Sequence, residues 1–212
     1  MTLRLLKRTL LNKGALWLSY IKLFPILRKL NKSSIVFDCG ANVGDITKKF
    51  AETGAQVYAF EPDEVAYSVL EKRFRLTENV TLIKKGVWDK NTEISLYSHK
   101  DQSKNEAAYT VSSSIVSNKL NVDNAKSKFV EVIDLTEFIE NLGKRITVIK
   151  LDVEGAEIEI LKKIIDKDSY KLFDMMYVET HETKIPGHLE ELVLIKKLLR
   201  EKNILNIKLN WL

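Results

Sequence analysis

The stretch from residue 35 to residue 45 constrains the fold more than any other part of the sequence. Its residues, Ile-Val-Phe-Asp-Cys-Gly-Ala-Asn-Val-Gly-Asp, give a short apolar run, an acid, two glycines and the start of a periodic segment. This order predicts a strand, a tight loop and a helix, because Gly40 lets the backbone turn and approach a ligand closely, and Gly44 admits close packing of the following helix. A dinucleotide fingerprint would need glycine at position 42, where Asn42 stands, which argues against a nicotinamide-dependent enzyme.

Strand-like and helix-like patterns alternate after this loop. The predicted elements are strand 35–39, helix 44–52, strand 56–60, helix 63–74 and strand 80–83. This alternation is typical of a βαβαβ unit with a parallel sheet. Glu61 follows the second strand, about twenty residues after Gly40, where nucleotide-binding sheets place an acid that receives ribose hydroxyls. Pro62 then ends that strand, since proline cannot continue a central strand.

The rest of the chain continues this pattern around one long irregular segment. We predict an extra strand over 93–97, a long loop over 98–128, a helix over 134–141, strands over 146–151 and 175–178, a helix over 188–202 and a final strand over 204–211. Loops as long as the one predicted here are uncommon in compact domains and are usually functional covers or disordered.

Polar side chains follow two of the later predicted strands. Asp152, Glu154 and Glu157 come after one strand, and Glu179 and His181, two positions apart, come after the next. Open α/β sheets bind ligands outside the carboxyl ends of their strands, so we expect these groups to line a site. Glu157 has a second interpretation as an acid favoured by the dipole at the start of a helix.

Residues 1–33 differ in composition from the rest of the chain. The first eight basic side chains fall before residue 38, with no acid among them and many large apolar residues between them. We predict two amphipathic helices, broken near Gly14 and at Pro25, that precede a domain over 34–212. Either these helices cap the sheet, or residues 1–30 associate peripherally with an anionic membrane face.

Composition also excludes several classes of protein. Residues 38–212 hold 26 basic and 29 acidic side chains, whereas a nucleic-acid surface needs a basic footprint over the domain. Charges interrupt the apolar runs too often for a transmembrane helix, and no cleavage site follows a continuous apolar core. The single cysteine, Cys39, excludes an internal disulfide. We therefore expect a cytoplasmic protein, with the inner face of the membrane as an alternative.

Four motifs together resemble the FkbM family of S-adenosylmethionine-dependent methyltransferases. They are Phe-Asp-Cys-Gly-Ala-Asn-Val-Gly at 37–44, Phe-Glu-Pro at 60–62, Lys-Leu-Asp-Val-Glu-Gly-Ala-Glu at 150–157 and Val-Glu-Thr-His at 178–181. The resemblance implies an α/β, Rossmann-like class I methyltransferase fold: a mostly parallel twisted sheet with helices on both faces, here preceded by N-terminal helices. It also implies S-adenosylmethionine as the methyl donor and a hydroxyl acceptor on a sugar, glycan or other natural product.

The resemblance also assigns residues to the cofactor. It places the methionine part of S-adenosylmethionine at the loop over 38–44, called the first loop below. It places the ribose hydroxyls at Glu61, the adenine beside the segment 86–88, and Asp152 at the methyl transfer site. The cofactor-binding set is Asp38, Gly40, Asn42, Val43, Gly44, Asp45, Glu61, Pro62, Gly86, Val87, Trp88 and Asp152. Sheets of this type usually end in an antiparallel hairpin, but only one strand is predicted after the last helix. The acceptor side is therefore expected to be incomplete or completed by a partner.

Methyl transfer to oxygen requires alignment of acceptor, methyl and sulfur, and removal of the hydroxyl proton. The catalytic candidates are Asp152, Glu154, Glu179 and His181. One interpretation makes His181 or Asp152 the base, with Glu154 and Glu179 orienting the acceptor. In the other, Asp152, Glu179 and His181 hold a divalent metal ion that acidifies the hydroxyl. The sequence does not choose between them.

Two rival functions remain. A non-catalytic cofactor-binding module would bind the donor without turnover. A nicotinamide oxidoreductase is disfavoured by Asn42 and by the absence of a Tyr-x-x-x-Lys pair. No sequence signal sets the oligomeric state.

Overall fold

The structure is a computed structural model that describes residues 23–99, 122–182, 185–209 and 211. Its strands are β1 (Ile35–Cys39), β2 (Gln56–Phe60), β3 (Val80–Ile83), β4 (Gly86–Trp88), β5 (Thr92–His99), β6 (Val122–Asp134), β7 (Ile146–Leu151), β8 (Phe173–Val178) and β9 (Ile207–Lys208). Its helices are α1 (Asp45–Ala51), α2 (Glu64–Phe74), α3 (Leu135–Leu142), α4 (Glu157–Asp166) and α5 (His188–Glu201), with a 3-10 helix at Ser169–Leu172 and a helical segment at residues 23–27.

Six strands form one parallel sheet in the order β3-β2-β1-β7-β8-β9. All five residues of β1 are buried, as expected for a central strand of a covered parallel sheet. The strand order reverses between β1 and β7, so a crevice lies outside the carboxyl ends of these two strands. The Rossmann-like α/β fold predicted from the sequence is confirmed.

Helices cover both faces of this sheet. Along β1, Ile35, Phe37 and Cys39 belong to one core cluster and Val36 to another, because successive side chains point to opposite faces. The first cluster includes buried residues of α3, α4 and α5, and the second includes Phe50 of α1. The main cluster also contains edge-to-face aromatic pairs, with ring centroids of Phe37 and Phe60 separated by 5.6 Å. The strand that leads to the first loop is therefore held from both sides.

A second sheet, ordered β4-β6-β5, corrects the predicted loop over 98–128. Strand β6 begins at Val122 and pairs antiparallel with β5, for example Ile94 with Val130, so residues 122–128 are a strand. Residues 100–121 lie outside the described part of the chain. The mostly polar residues 122–128 have weak β-propensity, so the sequence did not predict a strand there. Pairing with β5 supplies the backbone hydrogen bonds that stabilise it.

The carboxyl-terminal strand is shorter than predicted. Only Ile207 and Lys208 pair, in parallel, with β8, whereas the sequence predicted a strand over 204–211. Just before this pair, the backbone carbonyl of Asn206 accepts the N–H of Met176 at 2.7 Å, and its side-chain amide donates to the backbone carbonyls of Tyr170 and Phe173, at 2.8 and 3.0 Å. Within the described residues, this is the one strand that follows α5.

The described end of the N-terminal segment packs against the sheet. Residues 23–27 are helical and include Pro25, where the sequence predicted a break. Leu23, Ile26 and Leu30 are buried in the same core cluster as Val36. Residues 1–22, which carry most of the predicted membrane-associating segment, lie outside the described part. Among the described residues, no helix combines the length and apolar character needed to cross a bilayer.

The two glycines of the first loop are required by contacts within the protein. Gly40 has a φ of +78°, and a Cβ there would lie 1.8 Å from the carbonyl oxygen of Asp152. Gly44 has a φ of +86°, and its Cβ would lie 2.5 Å from Phe74 and 2.6 Å from Leu70. The predicted close packing at Gly44 therefore exists, but its main partner is α2 rather than the helix that follows directly. The loops after β1 and β7 touch through bare backbone at Gly40.

Replacing Gly40 by alanine is expected to lower the free energy of unfolding by about 4 kcal/mol or more, because the methyl group overlaps backbone that cannot move away cheaply. Gly143→Ala is the matched control: Gly143 also has a positive φ, +61°, but a Cβ there meets nothing within 4 Å. The control should cost about 1 kcal/mol. Urea unfolding of the two variants measures the difference, and equal losses would contradict the proposed contact.

Candidate active site

The first loop is fastened to the end of β2. The backbone N–H groups of Gly40 and Ala41 both donate to the carbonyl of Phe60, at 3.0 and 2.9 Å. Asn42 adopts a positive φ of +50°, and its side-chain oxygen accepts the N–H of Val43 at 2.7 Å. Helix α1 then begins after Gly44 without a side-chain cap. These contacts fix the loop backbone above the sheet edge.

Glu61 joins this loop to the start of α2. Its Oε2 accepts the N–H of Asn42 and its Oε1 accepts the N–H of Asp63, both at 2.8 Å. The side chain is buried, and burial raises the pKa of Glu61 to about 7, although the two N–H groups favour the ionised form. A carboxylate has about four lone-pair sites, so each oxygen keeps acceptor capacity for a further donor.

Lys150 is a buried cation that sequence reasoning did not assign to the site. Its Nζ lies 3.4 Å from Asp38 Oδ1 and 3.3 Å from Asp152 Oδ2, and donates to the carbonyls of Gly40 at 2.8 Å and Cys39 at 3.3 Å. Burial alone would lower the pKa of Lys150, but the charges of Asp152 and Asp38 outweigh it and raise the pKa above its ordinary value. The sequence feature that could have indicated its role is a lysine inside the otherwise apolar strand Ile146–Leu151.

Asp38 lies beneath the first loop. It is fully buried, accepts a hydrogen bond from Thr47 Oγ1 at 2.7 Å and faces Lys150. Burial raises the pKa of Asp38, and the charge of Lys150 opposes that rise. Asp38 therefore links Thr47 of α1 to Lys150 of β7.

The remaining cofactor candidates occupy three environments. Asp45 pairs with Arg73 of α2 at 2.7 Å, on the surface, and Arg73 also donates to the carbonyl of Val43. Gly86 approaches Pro62, since a Cβ on Gly86 would lie 3.5 Å from the proline ring. Val87 is buried in the main core cluster, and Trp88 packs against that cluster with its indole Nε1 buried and without a hydrogen-bond partner. The segment expected to border the adenine is thus a neighbour of Pro62.

The four catalytic candidates meet around the ring of His181. Its Nε2 lies 3.2 Å from Glu154 Oε2, 3.9 Å from Asp152 Oδ1 and 3.9 Å from Glu179 Oε1. The backbone brings the two strand ends together, because the N–H of Asp152 donates to the Cys39 carbonyl and that of Glu179 donates to the Leu151 carbonyl. The imidazole is almost completely buried, while the three carboxylates are partly exposed.

Glu157 is a further member of the site. Its Oε1 lies 3.0 Å from His181 Nδ1 and also accepts the N–H of Val153 at 3.2 Å. The side chain is buried at the first position of α4, so Glu157 is a helix-start acid, as one interpretation had it, and a contact of His181 as well. The sequence feature that indicated its place in the site is its position as the last acid of the motif at 150–157. Glu157 orients the imidazole, because Nδ1 can serve as the donor to this carboxylate.

Negative charge is in excess at this end of the sheet. Among the described residues, Asp38, Asp152, Glu154, Glu157 and Glu179 face one lysine and one histidine. Burial, reinforced by the charge of Asp152, raises the pKa of Glu179 to about 7. Burial alone would lower the pKa of His181, but the bond to Glu157 and the nearby carboxylates raise it above its usual value. The site is suited to a guest with positive charge.

Comparison with known proteins identifies a family. A family model described as the methyltransferase FkbM domain matches residues 38–203. A protein of Beauveria bassiana (strain ARSEF 2860), named methyltransferase 1, is 25% identical over 168 residues, covering 71% of this chain and 66% of that protein. The chain thus spans slightly less than two thirds of the length of that relative.

Solved structures show weaker likeness. An rRNA methylase from Streptococcus thermophilus is 16% identical, with 79% of this chain and 73% of that chain covered and a TM-score of 0.41. A precorrin-6y C5,15-methyltransferase from Geobacter metallireducens GS-15 is 10% identical, with 86% and 68% covered and a TM-score of 0.46. Scores this low carry no inference about substrate.

The raised pKa of Glu61 makes stability depend on pH. Between pH 4.5, the ordinary pKa, and pH 7, the folded chain keeps a proton that the unfolded chain releases, so rising pH favours unfolding. From pH 4.5 to pH 8 the parent protein should lose about 1 to 3 kcal/mol more unfolding free energy than Glu61→Gln. Denaturant unfolding across this range measures the difference, with Glu71→Gln, an exposed acid on α2, as control. Parallel curves for parent and Glu61→Gln would contradict the shift.

Proposed function

Since this chain belongs to the FkbM methyltransferase family, we propose that it binds S-adenosylmethionine at the carboxyl ends of β1 and β2 and transfers the methyl group to a hydroxyl. The observation that carries the proposal is the convergence of Asp152, Glu154, Glu179 and His181 beside the loop that contains Gly40. A hydroxyl-rich acceptor, such as a sugar in a glycan or natural product, suits a site lined by partly exposed carboxylates.

The residues at the ends of β1 and β2 fit this cofactor. Glu61 is fixed by two backbone N–H groups yet keeps acceptor capacity for two ribose hydroxyls. Pro62 and Gly86 lie side by side, where an adenine ring would be flanked. The excess of carboxylates favours the positive charge of a sulfonium. Bound there, S-adenosylmethionine would supply an electrophilic methyl group on sulfur.

The protein has two tasks in this reaction, orientation and proton removal. Attack by the acceptor oxygen must be in line with the sulfur–methyl bond, and the partly exposed carboxylates of Asp152, Glu154 and Glu179 can fix a hydroxyl by accepting its hydrogen bond. The hydroxyl proton must leave as the oxygen gains its methyl group. Asp152 or His181 is the proposed acceptor of that proton. Lys150 and Glu157 hold these two side chains in place.

Replacing Glu61 by alanine should weaken S-adenosylmethionine binding by about 1.5 to 3 kcal/mol, the scale of hydrogen bonds to a charged group. Isothermal titration calorimetry measures the change, and Glu71→Ala on the exposed side of α2 should leave the affinity unaltered. If Glu61→Ala binds as tightly as the parent protein, the assignment of the ribose to this carboxylate is wrong.

Substitution of the proposed proton acceptors should lower turnover without removing cofactor binding. His181→Ala and Asp152→Asn are each expected to reduce kcat by about 10²- to 10⁴-fold, with cofactor affinity nearly intact. An intact-mass screen of candidate glycans with S-adenosylmethionine identifies the acceptor for this assay. His188→Ala, at the start of α5, is the matched control and should keep parent activity. Parent-like rates for both site variants would place the proton acceptor elsewhere.

A further inference from the structure

The groups around His181 Nε2 suit a bound metal cation better than a single proton. Because Nδ1 faces Glu157 at 3.0 Å, donation from Nδ1 would leave Nε2 with a lone pair. Three carboxylates lie within 4 Å of Nε2, and they are themselves acceptors when ionised. Within the described part of the chain, Nε2 is buried and makes no hydrogen bond, and Glu157 Oε2 is also buried without a hydrogen-bond partner. Nε2 is thus the centre of a cluster of acceptor groups.

We infer that this centre is a divalent metal site, with His181 Nε2, Asp152, Glu154 and Glu179 as the ligands. This inference rests on the proposed function, because it names the group that would prepare the acceptor at the same site. The ligand set of one imidazole and three carboxylates suits a first-row ion such as Mn²⁺, since imidazole favours transition metals and carboxylates favour Mn²⁺ and Mg²⁺.

The distances between the imidazole nitrogen and each carboxylate suit ligands that share an ion with it. Two ligand atoms bound at about 2.1 Å lie about 3.0 Å apart at a right angle and about 4.2 Å apart on opposite sides of the ion. The separations of Nε2 from the carboxylate oxygens are 3.2 Å for Glu154 and 3.9 Å for both Asp152 and Glu179, within that interval. A single proton on Nε2 could serve only one of the three carboxylates, whereas an ion serves all of them.

The groups behind the ligands fit a metal centre as well. Metal-binding histidines almost always use their second nitrogen on a carboxylate, carbonyl or water, as His181 does with Glu157. Asp152 presents one oxygen to the histidine, while Lys150 lies 3.3 Å from the other. Both ligands are therefore oriented before any ion arrives.

The ion also has an open side. The side chains of Asp152, Glu154 and Glu179 are 26%, 18% and 23% exposed, whereas that of His181 is 1% exposed. An acceptor hydroxyl can approach from the carboxylate side and bind the ion, which lowers the pKa of that hydroxyl. With His181 Nε2 and Asp152 bound to the ion, neither takes the hydroxyl proton, which leaves to solvent instead. The oxygen–methyl bond forms, and the sulfur–methyl bond breaks to give a neutral thioether.

Metal binding can be measured without any turnover. The full chain, treated with EDTA and desalted, should bind one Mn²⁺ saturably, as shown by loss of the free Mn²⁺ signal in electron paramagnetic resonance. His181→Ala and Glu154→Gln should each weaken binding roughly tenfold or more. His188→Ala is the matched histidine control and should bind as the parent does. Glu154→Gln keeps the test meaningful if His181→Ala fails to fold.

The outcomes separate this inference from the proposed function. No saturable Mn²⁺ binding by the parent protein, or binding that neither site variant weakens, overturns the metal site. If S-adenosylmethionine still binds and a hydroxyl is still methylated in that case, the proposed function stands without the ion. Saturable Mn²⁺ binding that depends on His181 and Glu154 supports the metal site whether or not methyl transfer is found.

Discussion

The buried ammonium group of Lys150 is the interaction on which the rest of the site depends. It is shared by Asp38 on β1 and Asp152 after β7, and it donates to two carbonyls of the first loop. Breaking a buried pair by removing one partner commonly costs about 3 to 5 kcal/mol, because the remaining charge is left uncompensated. Lys150 therefore couples the positions of the two loops that form the crevice between β1 and β7.

The same two loops are also coupled through their backbones. Gly40 lies so close to the carbonyl of Asp152 that no other residue fits at position 40 without movement. Glu154, two residues further on, has a positive φ of +59°, a conformation that costs a non-glycine residue about 1 kcal/mol or more. That conformation places its carboxylate against His181. The packing that fixes the first loop thus also fixes the second, and with it the carboxylates of the site.

Charge divides the crevice into two regions. Near β2, Glu61 is satisfied by backbone N–H groups and joins the loop to α2. Near β7 and β8, four carboxylates surround one imidazole. In the part of the chain that the structure describes, one ammonium group, that of Lys150, pairs with one of them, Asp152. A region with such an excess of negative charge needs protons or a cationic guest. The same excess of negative charge helps to raise the pKa of Glu179, favours the sulfonium of the proposed donor and suits the inferred metal ion.

The sequence alone determined the alternation of elements and the strand ends at which the polar groups lie. The positions of β1, β2, β7 and β8 follow from apolar runs of strand length, glycines and a proline. These signals are local and can therefore be read from the sequence. Motif order was enough to indicate the family. Sequence reasoning failed where contacts between distant segments decide the outcome, as in β6, whose polar residues become a strand only by pairing with β5.

Only the tertiary structure decided what individual side chains do. Lys150 could be assigned to the site, and Glu157 to the imidazole of His181, only when β1, β7 and α4 were placed together, since their partners lie far away in the sequence. Asp38, which the resemblance assigns to the cofactor, is buried and faces Lys150. The local pattern specifies which residues reach the carboxyl edge of the sheet. Their pairing and protonation depend on distances across that edge, which the folded arrangement of the strands alone sets.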